Sequence, residues 1–258
     1  MDVGIFLAFS DVLFLMNLYT SLKIGTAHTN HCEDYLLNAP IGDHRLLLAV
    51  MDGCSMGTES YFISTLKGKL LRKIAKEVYY KAFLHRAEIS LQAELTNILE
   101  KLFCEVRKVQ NDLQLTSDEL LSTLLLAIVD TRSQQAEVIV VGDGLLVVDG
   151  NATAFDQDDR PDYMAYHLNE DFSAWFQGQS QYLQLATFES LSIATDGIFT
   201  FQAFENVDYP PIGSAELMAM LLIDQPDHPH FLHRQLIAIE QKWGLKPFDD
   251  LAIIRLMV

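Results

Sequence analysis

The sequence has few basic residues: 18 lysines and arginines stand against 35 aspartates and glutamates, which gives a formal net charge of −17. A nucleic-acid-binding protein needs clustered cations to neutralise phosphates, so this balance argues against DNA or RNA as a partner. The longest basic stretch, Lys67 to Lys81, is spaced like one face of a helix. We interpret it as a solvated helix surface.

Cysteine is also scarce. The three present, Cys32, Cys54 and Cys104, form neither a metal-binding spacing nor an even-numbered disulfide framework. We therefore expect free thiols in the reducing environment of the cytoplasm. Cys54 has no basic neighbour in the sequence, which argues against a nucleophilic thiolate.

No apolar run has the ~20 uninterrupted residues of a membrane-spanning helix, so no membrane partner is expected. The N-terminal stretch is apolar but contains Asp2 and Asp11, and it lacks the basic region of a signal peptide. We expect residues 1–15 to be an extension outside the core. Since no linker rich in Gly, Ser or Pro divides the remainder, residues 16–258 are predicted to form a single domain.

Hydrophobic periodicity predicts an α+β protein. Residues 18–25 and 32–37 alternate around a polar turn and predict a hairpin, and the continuous apolar run 45–51 predicts a buried strand. A helix pair inserted between strands favours α+β over a parallel α/β repeat. The predicted helices are 58–86, 90–112, 214–223 and 231–243. The later predicted strands are an antiparallel meander of 124–129, 136–141 and 145–148, followed by 182–186, 191–194 and 251–257.

Carboxylates recur at the ends of apolar runs that read as buried strands. Asp52 follows one such run, Asp196 follows another and Asp249 precedes the last, while Glu33 and Asp34 form a fourth acidic group. A charge at the end of a buried strand is unfavourable unless something positive meets it. A shared divalent cation is the simplest way to stabilise several such carboxylates together. The pattern therefore predicts a metal enzyme.

The order of these motifs, with Ser122-Thr123 opening a strand and Gly142-Asp143-Gly144 forming a turn, resembles the metal-dependent Ser/Thr protein phosphatases of type 2C. The resemblance covers residues 20–258. It implies a four-layer α-β-β-α sandwich, in which helix pairs flank two antiparallel sheets. It also implies two Mn²⁺ or Mg²⁺ ions at one edge of the sandwich.

The resemblance further implies a ligand set for two ions. A hydroxide shared by the ions would attack phosphorus in line, without a covalent enzyme intermediate. The implied ligands are Asp52, which bridges both ions; Glu33 and the carbonyl of Gly53 on one ion; and Asp196 and Asp249 on the other.

Four further acidic positions have implied supporting roles. Asp34 would orient the metal-bound water, and Asp118 would belong to a looser third metal site. Asp143 is interpreted as a structural turn residue, since an aspartate between glycines suits a tight hairpin. Asp250 is expected to support Asp249 rather than bind an ion directly.

One departure from the family pattern concerns the phosphate. Many members have an arginine four residues before the first glutamate, and this chain has Thr29 there. His28 and His31 lie nearby and are candidates to bind phosphate or to protonate the leaving group. The alternative is that both are surface residues of a turn.

The resemblance predicts a cytoplasmic phosphatase that hydrolyses phosphoserine and phosphothreonine in proteins, with a cognate Ser/Thr kinase as a possible counterpart. Two alternatives stay open at this stage. One is a weakly active or inactive member that binds phosphoproteins, which the absent arginine favours. The other is a phosphomonoesterase of small molecules.

Overall fold

The computed structural model describes residues 17–57, 59–85, 89–157, 161–203 and 210–258. The predicted N-terminal extension, residues 1–15, lies outside these ranges. Within them, two five-stranded antiparallel sheets pack face to face.

The first sheet has the strand order β2-β3-β4-β5-β8 and the second has the order β1-β12-β9-β6-β7. The strands of the first sheet are β2 (Tyr35–Pro40), β3 (Arg45–Met51), β4 (Leu124–Asp130), β5 (Gln135–Val141) and β8 (Tyr182–Leu185). Those of the second are β1 (Asn17–Lys23), β6 (Gly144–Val148), β7 (Asn151–Phe155), β9 (Ser190–Ala194) and β12 (Leu251–Met257). A short pair, β10 (Phe201–Ala203) and β11 (Leu245–Pro247), stands apart from both.

Helices cover the outer face of each sheet. The helices are α1 (Ser60–His85), α2 (Leu91–Leu113), α3 (Phe172–Gln177), α4 (Ser214–Leu222) and α5 (Phe231–Trp243). The first three pack on the first sheet and the last two on the second. None of these described helices is both long enough and apolar enough to cross a membrane.

Strand β3 shows why the layers assemble in this order. Its side chains are buried on both faces, because alternate residues of a strand point to opposite sides. Leu46, Leu48 and Val50 pack between the sheets. Leu47, Ala49 and Met51 pack against the helices. The predicted four-layer α-β-β-α sandwich is confirmed.

The predicted hairpin of residues 18–25 with 32–37 is wrong. Strand β1 pairs with β12, whereas β2 pairs with β3 in the opposite sheet. The segment between β1 and β2 therefore crosses from one sheet to the other. Its backbone bonds to the C-terminal segment, with Thr26 N donating to Pro247 O and Ala27 N to Phe248 O. Alternation identified strands here, but it does not specify their partners.

The predicted meander is also wrong at its third strand. Strands β4 and β5 pair as expected, but β6 joins the second sheet between β7 and β9. The Gly142-Asp143-Gly144 turn is thus a crossover between sheets rather than a hairpin. Sequence patterns also missed β7, β10, β11 and α3, which are short or lack a clear apolar period.

The stretch Lys67 to Lys81 is only partly the solvated face that its spacing suggested. Lys69, Lys73, Lys76 and Lys81 are exposed, but Lys67 is fully buried in α1. The prediction for Lys67 is therefore wrong. The side chain turns inward and bonds to the backbone of the first sheet.

Candidate metal centre

Carboxylates from four distant segments meet at one end of the sandwich. Asp34 precedes β2, Asp52 follows β3, Asp196 follows β9 and Asp249 precedes β12. They lie close enough that the charges of Asp34, Asp196 and Asp249 all raise the pKa of Asp52, after burial as the largest cause. The four carboxylates therefore share one electrostatic site.

Asp34 is the most deeply buried of the four. Its Oδ2 accepts a hydrogen bond of 2.6 Å from the hydroxyl of Thr195, and its carboxylate faces that of Asp52. Burial and the nearby charges of Asp250 and Asp196 raise the pKa of Asp34 to about 7. Its Oδ1 is buried, and no donor among the described residues reaches it.

The backbone of Asp52 is held by the neighbouring strand. Asp52 N donates to the Oγ1 of Thr123 at 3.1 Å, and Thr123 N donates to the carbonyl of Asp52 at 2.8 Å. The next residue, Gly53, donates its N–H to the carbonyl of Glu33 at 3.1 Å. These bonds fix the position of the Asp52 backbone, from which its side chain extends, and they bring Glu33 beside it.

The other two carboxylates are placed by tight backbone packing. Asp196 opens a 3₁₀ turn, and Gly197 lies so close to the backbone of Asp250 that a Cβ would overlap its carbonyl oxygen. Asp249 N donates to the Oγ1 of Thr200 at 3.0 Å. Burial and the charges of Asp249 and Asp143 raise the pKa of Asp196 to about 6.

Asp250 holds the loop between β1 and β2, here called the crossover loop, onto the C-terminal strand β12. Its carboxylate accepts bonds from Gly25 N and Glu33 N, and its Oδ2 lies 2.9 Å from Nδ1 of His28. Asp250 N also donates to Oδ1 of Asp249 at 2.8 Å, so its support of Asp249 stays a prediction, to which the contacts with the loop are added. A carboxylate with both oxygens engaged in this way has little capacity left for an ion.

His28 lies within the carboxylate cluster. Besides Asp250, its ring nitrogens are 3.7 Å from Asp249 and 3.8 Å from Glu33. Burial lowers the pKa of His28, but the bond to Asp250 and the three nearby negative charges outweigh it and raise the pKa. The surrounding carboxylates therefore stabilise the protonated form of the half-buried imidazole.

Other predicted site residues lie apart or have a second role. His31 is exposed and stacks on the ring of Tyr61, with centroids 4.2 Å apart. Asp118 is exposed on a 3₁₀ turn, where its backbone packs against Gly57. Its place in a third metal site stays a prediction. Asp143 accepts a bond from Gln157 N, as a turn residue would, yet its charge also acts on Asp196.

The donor set suits a hard divalent cation. Its candidate ligands are carboxylate and carbonyl oxygens, which Mn²⁺ and Mg²⁺ prefer. Among the described residues, no group of three or more His, Cys, Asp and Glu side chains is already arranged to hold an ion. The buried Asp34 oxygen has no donor in the part of the chain that the structure describes, and burial together with neighbouring carboxylates raises the pKa values of Asp34, Asp52 and Asp196, so a cation here would stabilise their ionised forms.

Thr195 is a residue whose role sequence reasoning missed. It is fully buried, donates to Asp34 and accepts from Ala252 N at 2.9 Å, so it joins the first acidic motif to the last strand. A signal was present, since a hydroxyl next to a strand-end aspartate is a suitable donor for a second carboxylate. Nothing in the sequence named which carboxylate that would be.

Comparison with known proteins gives one family match. The family model of protein phosphatase 2C matches residues 24–236. Among curated protein sequences, none matches the chain.

Several solved structures share the fold. The phosphatase domain with a regulatory fragment of SpoIIE from Bacillus subtilis has a TM-score of 0.57 at 15% identity, covering 94% of this chain and 63% of that one. The Ser/Thr phosphatase Stp1 from Staphylococcus aureus has a TM-score of 0.57 at 12% identity, covering 94% and 95%. RsbX in complex with magnesium has a TM-score of 0.51 at 15% identity, covering 92% of each chain. This chain thus spans less than two thirds of the SpoIIE chain, and identities this low establish the fold alone.

We expect the metal-free protein to become less stable as pH rises from about 5.5 to about 7.5. The pKa values of Asp34 and Asp196, about 7 and about 6, lie above the ordinary 3.8. The folded state therefore binds more protons than the unfolded state between about pH 4 and about pH 7, and the free energy of unfolding falls as pH rises through that window. The raised pKa of His28 acts in the same direction. Thermal melts in EDTA should show a Tm a few degrees higher at the lower pH.

The matched variant is Asp34→Asn, which removes the most strongly buried titrating carboxylate of the pair. It should reduce the slope of Tm against pH without abolishing the cooperative melt. A wild-type Tm that instead increased towards about pH 7.5 would contradict this account of the site.

Thr195→Val should destabilise the protein by about 1–3 kcal/mol. Valine has nearly the same shape but leaves Asp34 and the N–H of Ala252 without their buried partner. Thr195→Ser keeps the hydroxyl and loses one methyl group, so its effect should be nearer ~1 kcal/mol. Urea denaturation in EDTA measures both, and equal losses for the two variants would rule out the hydroxyl as the cause.

Proposed function

The chain belongs to the protein phosphatase 2C family, whose members are metal-dependent phosphatases, and from that premise we propose that it hydrolyses phosphoserine and phosphothreonine in proteins. The single observation that carries the proposal is the meeting of Asp34, Asp52, Asp196 and Asp249 at one end of the sandwich. Burial and the charges of the other three raise the pKa of Asp52, and no requirement of folding explains why carboxylates from segments so far apart in sequence meet there.

In this proposal, the groups that would hold divalent cations are Asp52, Glu33, the Gly53 carbonyl, Asp196 and Asp249. When bound, divalent cations would supply positive charge that polarises phosphoryl oxygens and makes water more acidic. Mn²⁺ and Mg²⁺ both suit these ligands, because both prefer oxygen.

The remaining roles fall to two side chains. Asp34 is fixed by Thr195 through Oδ2, which leaves the buried Oδ1 able to accept a proton from an attacking water. His28 is the basic side chain beside the candidate ligands, and in this proposal its protonated form takes the place of the missing arginine. Its Nδ1 is engaged with Asp250, so Nε2 is the nitrogen that can donate to a phosphate or to a leaving oxygen.

The first test is turnover itself. We expect Mn²⁺-dependent release of phosphate from p-nitrophenyl phosphate and from a phosphothreonine peptide. Asp52→Asn should lower kcat/KM for both by at least about a hundredfold, because it removes charge from the shared ligand. Asp112→Asn, at an exposed position near the end of α2, is the matched control and should retain wild-type activity.

The alternatives correspond to different outcomes. Wild-type protein that binds Mn²⁺ in a calorimetric titration but releases no phosphate from either substrate would favour a phosphoprotein-binding module. Turnover of p-nitrophenyl phosphate without turnover of any phosphoserine or phosphothreonine peptide would favour a small-molecule phosphomonoesterase. Either result would contradict the proposed protein phosphatase.

His28→Gln tests how the phosphate is held. If His28 binds the phosphate, KM should rise by about tenfold for both substrates with a smaller change in kcat. If it protonates the leaving group, kcat should fall more for the peptide, since threonine is a much poorer leaving group than p-nitrophenol. His233→Gln, at an exposed position in α5, is the control. Unchanged kcat and KM for His28→Gln would assign the residue to loop structure alone.

A further inference from the structure

Lys67 is a buried lysine that the proposed chemistry does not use. Its side chain is fully buried in α1, and its Nζ donates to the carbonyl of Ser122 at 2.9 Å. Among the described residues it forms no ion pair. Burial alone lowers its pKa to about 7.

A lysine in this position is expensive. Moving an ammonium group out of water without a carboxylate partner is unfavourable, and a methionine or leucine would fill a similar volume without that penalty. The single hydrogen bond to a backbone carbonyl offsets only part of it. A role beyond stability would explain why the position holds a lysine.

The bonded carbonyl belongs to the segment that holds the central carboxylate. Ser122 forms an antiparallel bridge with Gly53. On either side of it, Leu121 O accepts from Cys54 N at 3.0 Å, and Thr123 exchanges two hydrogen bonds with the backbone of Asp52. Residues 121–123 are therefore the support against which Asp52 and Gly53 rest.

Helix α1 is itself fixed against the same region. The carbonyl of Ser60 lies so close to Gly53 that a Cβ there would overlap it. One residue beyond Lys67, Gly68 packs on the ring of Tyr35, again with no room for a Cβ. The Lys67 side chain thus runs from a firmly seated helix to the support of the site, behind Gly53.

We propose that Lys67 is a positioning residue, which sets the place of the Asp52–Gly53 segment through the Ser122 carbonyl and thereby strengthens divalent-cation binding. It touches neither substrate nor the reacting atoms. The inference rests on the proposed function, because it assigns Asp52 and the Gly53 carbonyl as ligands. A purely structural Lys67 would affect stability and leave cation affinity unchanged.

The test is the Kd for Mn²⁺, measured by calorimetry on the full-length chain without substrate. Lys67→Met has similar length but no donor, and it should weaken Mn²⁺ binding by about 10–100-fold, as loss of an outer support does at metal sites. Lys67→Gln keeps a donor on a shorter chain and should fall between Met and wild type. The concentration of Mn²⁺ that half-activates phosphatase turnover should shift in parallel, with little change in kcat at saturating Mn²⁺.

Ile74→Val is the matched control for lost stability, because Ile74 is buried in the same helix and packs in the core shared with α2. It should lower Tm and leave the Kd for Mn²⁺ within about twofold of wild type. Should Lys67→Met fail to fold, Lys67→Leu replaces it with the same expectation.

Three results would overturn the proposal. The first is that Lys67→Met or Lys67→Leu folds and binds Mn²⁺ as tightly as wild type. The second is that Lys67→Gln is as impaired as Lys67→Met. The third is that Ile74→Val loses as much affinity as Lys67→Met. Calorimetry measures Mn²⁺ binding without turnover, so the role of Lys67 can be tested even if the protein is not a phosphatase. A wild-type protein that is inactive but binds Mn²⁺ more tightly than Lys67→Met would support the role of Lys67 and contradict the phosphatase assignment.

Discussion

The repulsion among the clustered carboxylates is the constraint on which the rest of this structure depends. Asp52 lies at its centre, since burial and then the charges of Asp34, Asp196 and Asp249 all disfavour its ionised form. An arrangement that raises the free energy of the apo protein persists only if the surrounding backbone leaves the side chains no other place. The local geometry is therefore best understood as the means of holding negative charges together.

Backbone groups and two polar side chains keep the carboxylates in place. Thr195 ties Asp34 to β12, and Asp250 ties the crossover loop to the same strand. Both are buried and both join segments from opposite ends of the sequence. The sandwich supplies the rigid edge, because β3, β9 and β12 are buried on both faces and have no freedom to slide. The site is thus a property of the whole fold rather than of one loop.

The helices and strands of the four layers and the acidic motifs could be predicted from the sequence, because each corresponds to a pattern of neighbouring residues. Long periodic helices, such as α1 and α5, and continuous apolar runs, such as β3, were placed to within two residues at each end. Strand partners were not, and the hairpin assigned to residues 18–37 failed because alternation carries no information about which sheet a strand joins. The loop contacts of Asp250 and the burial of Lys67 were missed for a related reason. Their roles lie in contacts with residues 225 and 55 positions away, which no local pattern encodes.

The negative charge of the protein also bears on the order in which cations and phosphate would bind under the proposed function. A phosphate group approaching a chain of net charge −17 meets a concentration of carboxylates there. Among the described residues, His28 is the basic side chain that lies beside the candidate ligands, and its Nδ1 is 2.9 Å from Oδ2 of Asp250. Under the proposed function, a phosphate dianion would meet several carboxylates at close range, and their repulsion would oppose the contribution of His28 to binding it. Under the proposed function, cations would neutralise the carboxylates before phosphate binds productively, and the absence of an arginine would make substrate affinity depend more strongly on cation occupancy.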